Sequence, residues 1–265
     1  MPELPEVESL RRMLARRVVG RKILRTRTLL PRIVRQGRLG NLVGRTFTSV
    51  ARYGKFLCFD TDDRLKLFVH LRMTGGLLWE GDLDGIPSHI RAVICFDDDR
   101  LLYRDVRTLG GLWVSRNGAA PWKRLGIDPF DPAFTPEELK QLFSVRRLPV
   151  KLALLDQTLI AGIGNIYASE ILFAAGIDPR RPVSSLSGDE LVGLHDAVGR
   201  ILNAAIEFQG TTFRDFRLSD GRQGRFRNLL NVYGRGGEHC RRCDGIIERI
   251  TQAQRSTCFC PSCQH

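Results

Sequence analysis

Apolar residues recur every three to four positions near the start of the chain, at Val7, Leu10, Leu14 and Val18, so residues 5 to 19 predict an amphipathic helix. Pro5 suits its first turn, where no amide donor is needed, and Gly20 ends it. Beyond residue 45 the period changes. TFTSVARYGKFLCF, LKLFVHL, GGLLWE, IRAVICF, RLLYR and GLWVS are short, rich in β-formers and separated by Asp/Gly clusters. Six such runs between residues 46 and 115 predict an antiparallel β-sandwich or barrel. In LKLFVHL the alternation sets Leu65, Leu67, Val69 and Leu71 on one face. Lys66, Phe68 and His70 share the other, which takes His70 out of the obvious core.

A Pro/Gly-rich stretch, NGAAPWKRLGIDPFDP, then reads as a linker, and the signals after it are helical. Thr135-Pro136-Glu137-Glu138 and Ser187-Gly188-Asp189-Glu190 are capping boxes, the second ahead of Leu191, Leu194, Val198, Ile201 and Leu202. Between them, KLALLDQTLIAGIGNIYASEILFAAGI predicts two short helices flanking a glycine turn. The last 30 residues are cysteine-rich and form their own unit. The expected organisation is α+β: residues 1–116 a sandwich with its helix, 117–132 a linker, 133–228 helical and 229–265 a small metal-held module.

At 265 residues with 43% hydrophobic content the chain can bury a sizeable core. No apolar run approaches the roughly 18 to 20 residues that cross a bilayer, and no secretory signal opens the chain, so a cytoplasmic protein is expected. The net charge of +12 favours a polyanionic partner. Its distribution sharpens this: eleven Lys or Arg and no acid lie between Arg11 and Arg38, and ten Arg face five acids between Thr211 and Arg255. One such run is as readily solvated surface; two, one near each end, point to nucleic acid.

Cys240, Cys243, Cys260 and Cys263 form two CxxC knuckles, the donor set and spacing of one tetrahedral, structural zinc ion with no open position for substrate; disulfides are the alternative, which a cytosolic chain disfavours. Cys58 and Cys95 read as buried strand residues. Between the knuckles, IIERITQAQRSTCF predicts a hairpin with Arg255 near its turn, where phosphate contact and plain exposure are equally open. GIGNIYASE offers a close backbone approach and a helix start near Asn165 aimed at an anion, or a turn whose glycines serve only packing. Lys55, amid apolar neighbours, either protects a sheet edge or points into a cleft. The opening, MPELPEVESL, carries its own possibility. Loss of Met1 would make Pro2 a terminal secondary amine, with a pKa of about 8, beside the Glu3 carboxylate. Such an amine attacks a sugar C1′ to give an iminium, which acidifies C2′ and sets up elimination. Plain helix initiation is the alternative.

PELPEVE, HLRMTGG, GIGNIYASE, SDGRQG and the terminal CxxC pair, collinear from residue 2 to residue 263, resemble the formamidopyrimidine-DNA glycosylase (Fpg/Nei) family. The resemblance implies an N-terminal β-sandwich, a helix–two-turn–helix domain and a zinc finger, with DNA in the basic cleft between the domains. It implies a monomeric base-excision repair enzyme acting on damaged double-stranded DNA. Such an enzyme excises 8-oxoguanine and formamidopyrimidines, then nicks the strand by β,δ-elimination. On that resemblance Pro2 is the Schiff-base nucleophile, Glu3 the acid, and Lys55 and Arg255 the cations of β- and δ-elimination. Both cations also hold phosphates. His70, His89, Arg107, Arg146, Lys151 and Asn165 fall at DNA contacts. Glu6 and Glu170 lie beside the base pocket, and Ser219 to Phe226, with Arg222, Gln223 and Arg225, form the loop over the flipped base. Met73 matches the family's wedge methionine. RDVRTLGG departs from its Arg-Phe pair with Thr108 and Leu109, which puts the reading of the opposite base in question. An endonuclease VIII-like enzyme for oxidised pyrimidines and a non-catalytic DNA-binding zinc protein are the alternatives.

Overall fold

The computed structural model describes residues 1–116, 120–122, 124–144, 146–212 and 217–265. They fall into two compact units. The first comprises Met1–Lys123 with Phe208–Arg227, the second Arg124–Glu207 with Asn228–His265. Residues 208–227, grouped by their sequence position with the helices, thus belong with the sandwich, and Trp79 N–H donates to Ser219 O at 2.8 Å.

In the first unit helix α1 spans Leu4–Val18, with Pro5 in its first turn. Its stripe of Leu4, Val7, Leu10, Leu14 and Val18 is fully buried. Nine strands follow: β1 (Arg25–Thr28), β2 (Val34–Gln36), β3 (Phe47–Tyr53), β4 (Phe56–Thr61), β5 (Lys66–His70), β6 (Gly75–Trp79), β7 (Ile90–Cys95), β8 (Arg100–Asp105) and β9 (Gly111–Ser115). They form a four-stranded sheet, β1-β7-β8-β6, and a five-stranded sheet, β2-β9-β5-β4-β3. Pairing is antiparallel except between β2 and β9, which run parallel. The run TFTSVARYGKFLCF is two strands, because Gly54 takes φ +54° and turns the chain between β3 and β4.

Strands β1 and β2 escape a reading by hydrophobic alternation. RTRT and VRQ are short edge segments whose side chains are mostly exposed, the charged composition that discourages pairing with another chain. One core unites α1 with both sheets. Phe47, Phe59, Leu67 and Val69 come from one sheet, and Trp79, Ala92, Ile94 and Leu101 from the other.

The far face of β5 departs from expectation. Phe68 and His70 are buried, because Trp122 packs edge-on against Phe68 at 4.8 Å between ring centroids and Phe56 meets the His70 ring at 4.4 Å. Of the strand cysteines, Cys58 is buried and Cys95 half-buried.

The second unit contains α2 (Pro136–Ser144), α3 (Val150–Leu155), α4 (Asn165–Ala175) and α5 (Gly188–Glu207), followed by the strands β10 (Glu248–Gln252) and β11 (Arg255–Phe259). Thr135 Oγ1 accepts the Glu138 N–H at 3.2 Å. Ser187 and Glu190 exchange bonds as a complete box, 3.2 Å and 2.8 Å. Helix α4 is buried on nearly every side from Ile166 to Phe173, so it is a core helix and lacks the stripe of a surface one. Cys258, which no motif explains, lies in a small core with Phe173, Val232 and Ile247.

Leu14→Ala removes a fully buried branched side chain from the core shared by α1 and both sheets. It is expected to cost about 2–5 kcal/mol, read as a lowered urea midpoint. An unchanged midpoint would contradict the packing of α1.

Candidate active site

The first residues of the chain are held from below. Pro2 is buried and Glu3 is only 3% exposed. Glu6, one turn into α1, accepts the Glu3 N–H on Oε2 at 2.8 Å and the Thr211 N–H on Oε1 at 2.6 Å. Gly210, at φ +79°, permits this approach, since a Cβ there would lie 2.7 Å from Glu6 Oε1.

Glu8, two residues on, gathers Arg11 and Arg12 at 2.9 and 2.8 Å and Arg52 at 3.3 Å. Burial pushes the Glu8 carboxyl up. The Arg11 and Arg12 hydrogen bonds, with the charges of Arg11 and Arg52, outweigh it and hold the group below the usual range. Arg52 in turn donates to Gly54 O at 3.1 Å, one residue before Lys55. The helix that follows Pro2 and Glu3 is thereby tied to the turn that carries Lys55.

Lys55 is 6% exposed and sits beside the end of β5, because Phe56 pairs with His70. His70 Nδ1 accepts the Arg72 N–H at 3.0 Å, which leaves Nε2 as the protonated nitrogen of the neutral ring. Burial, then the positive charges of Arg72 and Lys55, drive its pKa down to about 3. His70 is therefore a neutral donor at physiological pH. Met73 projects from the β5–β6 turn at 40% exposure and Leu109 from the β8–β9 loop at 50%. Arg107 and His89 are exposed, and His89 Nδ1 lies 2.8 Å from Ser88 Oγ.

Of the expected pocket loop, Ser219 is fully buried, while Arg225 is exposed and bridges to Thr211. Arg222 is exposed but not idle, since its guanidinium holds Asp220 at 2.6 Å. Gly224 N–H donates to Thr212 Oγ1 at 3.0 Å.

In the second unit two expected DNA contacts converge on the hairpin. The fully buried Lys151 donates to Ser256 O at 3.0 Å and Thr257 Oγ1 at 2.7 Å, and Asn165 Nδ2 reaches the same Ser256 O at 3.0 Å. Ser256 follows Arg255, so these two side chains brace the arginine. The turn between the strands, Ala253–Gln254, has φ +43° and +60°, the paired left-handed conformation that matches the twist of a hairpin. Gln157 holds the glycine turn before α4 from both sides, accepting the Gly162 N–H and donating to Ile163 O.

Glu170 is buried and accepts the N–H groups of Asn231, Val232 and Tyr233 at 2.8–2.9 Å. It therefore anchors the strand of chain that leads into the finger. Arg146 is exposed just beyond α2.

The sulfurs of Cys240, Cys243, Cys260 and Cys263 lie within 4.8 Å of one another, with Cys240–Cys263 at 4.0 Å and Cys243–Cys260 at 3.5 Å. Tetrahedral Zn–S bonds of about 2.3 Å require sulfurs roughly 3.8 Å apart, so the donor set fits one zinc ion. The full set of thiolates makes its role structural.

Comparison with known proteins agrees with these motifs along the whole chain. Residues 1–112 match the formamidopyrimidine-DNA glycosylase N-terminal domain, residues 125–217 its H2TH domain, and residues 237–265 the zinc finger found in FPG and IleRS. The formamidopyrimidine-DNA glycosylase of Carboxydothermus hydrogenoformans is 40% identical, each chain covered in full. A Lactococcus lactis FPG variant, solved with a Fapy-dG containing DNA, superposes with a TM-score of 0.92 at 36% identity and full coverage of both chains. The Lactococcus lactis Fpg in complex with an abasic site containing DNA gives 0.92 at 37% identity, with 99% of each chain covered. The chain belongs to the formamidopyrimidine-DNA glycosylase family.

The depressed pKa of His70 has a testable sign. Below about pH 6.5 the unfolded chain binds a proton that the folded chain refuses until near pH 3, so stability falls as pH drops through that window. NMR should show no His70 titration between pH 8 and 5; a midpoint near 6.5 would contradict its burial. Chelation is expected to release the zinc and open the β10–β11 amides to hydrogen exchange. Unchanged protection after metal loss would show that the hairpin stands without it.

Proposed function

We propose that this chain is a bifunctional DNA glycosylase and AP lyase of base-excision repair. The observation that carries the reading is the buried Pro2–Glu3 start, fixed by Glu6 at the head of α1, in a chain that matches the family from end to end. Oxidised purines are the proposed substrates. The Lactococcus lactis complexes with Fapy-dG and abasic DNA support both the lesion class and the strand-cleaving step.

Removal of Met1 would free Pro2 as a secondary amine. With the damaged nucleotide turned out of the helix, the amine attacks C1′ as the base departs, and Glu3 supplies the proton that the opening sugar or leaving base requires. A secondary amine yields an iminium cation directly. Loss of a C2′ proton from that adduct expels the 3′ phosphate, and a second elimination expels the 5′ phosphate. Lys55 and Arg255 balance charge on the flanking phosphates, so their contribution is positioning as much as proton transfer. His70, as a neutral Nε2 donor, His89, Arg107 and Arg146 add contacts to the DNA backbone. Lys151 and Asn165 act one step back by bracing the hairpin. Met73 and Leu109 fill the space that the extruded nucleotide leaves. Zinc keeps the hairpin folded and takes no part in bond breaking.

Borohydride trapping tests the reading. Protein beginning at Pro2 is expected to form a covalent adduct with abasic DNA, and protein that retains any preceding residue is not; trapping by the extended form would refute the amine's role. Glu3→Gln should slow base excision about 10²–10⁴-fold while leaving cleavage of a preformed abasic site much less affected. Faster incision at thymine glycol than at 8-oxoguanine would assign the chain to oxidised pyrimidines.

A further inference from the structure

Asp105 ends β8 with no exposed surface, and the chemistry above makes no use of it. Its Oδ1 accepts the Thr74 hydroxyl at 2.6 Å and its Oδ2 accepts the Gly110 N–H at 2.9 Å. Thr74 Oγ1 in turn accepts the Arg107 N–H at 2.9 Å. Thr74 directly follows Met73, and Gly110 directly follows Leu109. One carboxylate therefore grips the base of both exposed apolar tips, each at the residue adjoining the tip. Gly110 leaves no slack, since a Cβ there would lie 2.1 Å from the Tyr103 hydroxyl and 2.7 Å from His70 O. The Asp105 backbone adds two further ties, its N–H to His89 O at 3.1 Å and its carbonyl to Arg91 Nε at 2.8 Å.

We propose that Asp105, acting through Thr74, is a positioning residue that locks the Met73 and Leu109 loops into a single wedge of fixed spacing. The proposal rests on the reading of Met73 and Leu109 as the residues that fill the DNA stack. Two apolar tips on independent loops would each lose conformational freedom on entering a base step. Tips already joined at their roots lose less, so more of the contact energy remains to hold the stack open. A buried carboxylate suits this task because its two oxygens can accept from two loops at once, and a charged acceptor makes stronger bonds than a neutral one.

The test uses full-length, zinc-loaded protein beginning at Pro2, with Thr74→Val, Thr74→Ser, Asp105→Asn and Leu109→Ala. Three quantities are read: fluorescence of 2-aminopurine opposite the lesion as a report of unstacking, single-turnover excision from that duplex, and cleavage of an abasic site in single-stranded DNA, which needs no wedge. Thr74→Val and Asp105→Asn are expected to lose the fluorescence rise and slow duplex excision by about tenfold or more, with single-strand cleavage unchanged. Thr74→Ser, which keeps the hydroxyl, should restore both. Where Asp105→Asn does not fold, the Thr74 pair carries the test. If Leu109→Ala loses the fluorescence rise and Thr74→Val keeps it, the clamp is refuted while the wedge stands. If Leu109→Ala changes nothing, the wedge reading fails and the clamp falls with it. Equal loss on duplex and single-stranded DNA in Thr74→Val would make the contact merely structural and overturn the proposal.

Discussion

Two hydrogen bonds to the Glu6 carboxylate fix the first residues of the chain against the sandwich unit. Without them, the residues before α1 would be a frayed terminus, and Pro2 would sample many directions. With Oε2 on the Glu3 N–H and Oε1 on the Thr211 N–H, the start of the chain is held on two sides. Each hydrogen bond to a charged acceptor contributes about 1.5–3 kcal/mol. The hydrophobic stripe of α1 gives this anchor a rigid base, and Glu8 extends the same helix to Arg52 and the Lys55 turn.

The second unit solves a similar problem by other means. Arg255 opens the second strand of a two-stranded ribbon, beside its turn, and such ribbons are marginal alone. Four thiolates close the ribbon's far end, while Lys151 and Asn165 hold the near end at Ser256. Lys151 is the instructive case. The side chain is fully buried, and its ammonium donates to the Ser256 carbonyl and the Thr257 hydroxyl.

Much of this could be read in the sequence wherever one residue type has one physical use. Period and β-propensity gave α1 and six runs that cover the seven central strands, capping chemistry gave α2 and α5, and paired knuckles gave the metal site. What stayed hidden depends on long-range contact. RTRT and VRQ have no alternation to betray a strand. The polar-looking face of β5 is buried because Trp122, about fifty residues away, covers it. The roles of Glu8, Asp105 and Glu170 as anchors follow from partners that no local pattern specifies. The motifs named the candidate residues, and the contacts that hold them in place came only from the structure.

The return of residues 208–227 to the first unit bears on how the protein comes into being. Glu6 and Thr211 are separated by 205 positions, so their bond closes a loop of most of the chain. During synthesis the sandwich strands can pair early, yet the Glu6 carboxylate lacks this acceptor site's partner until the helices have left the ribosome. Closure of so long a loop costs little more entropy than closure of one half its length, but it comes late. The nascent chain therefore carries its N-terminal anchor half-made until nearly the whole protein has been synthesised.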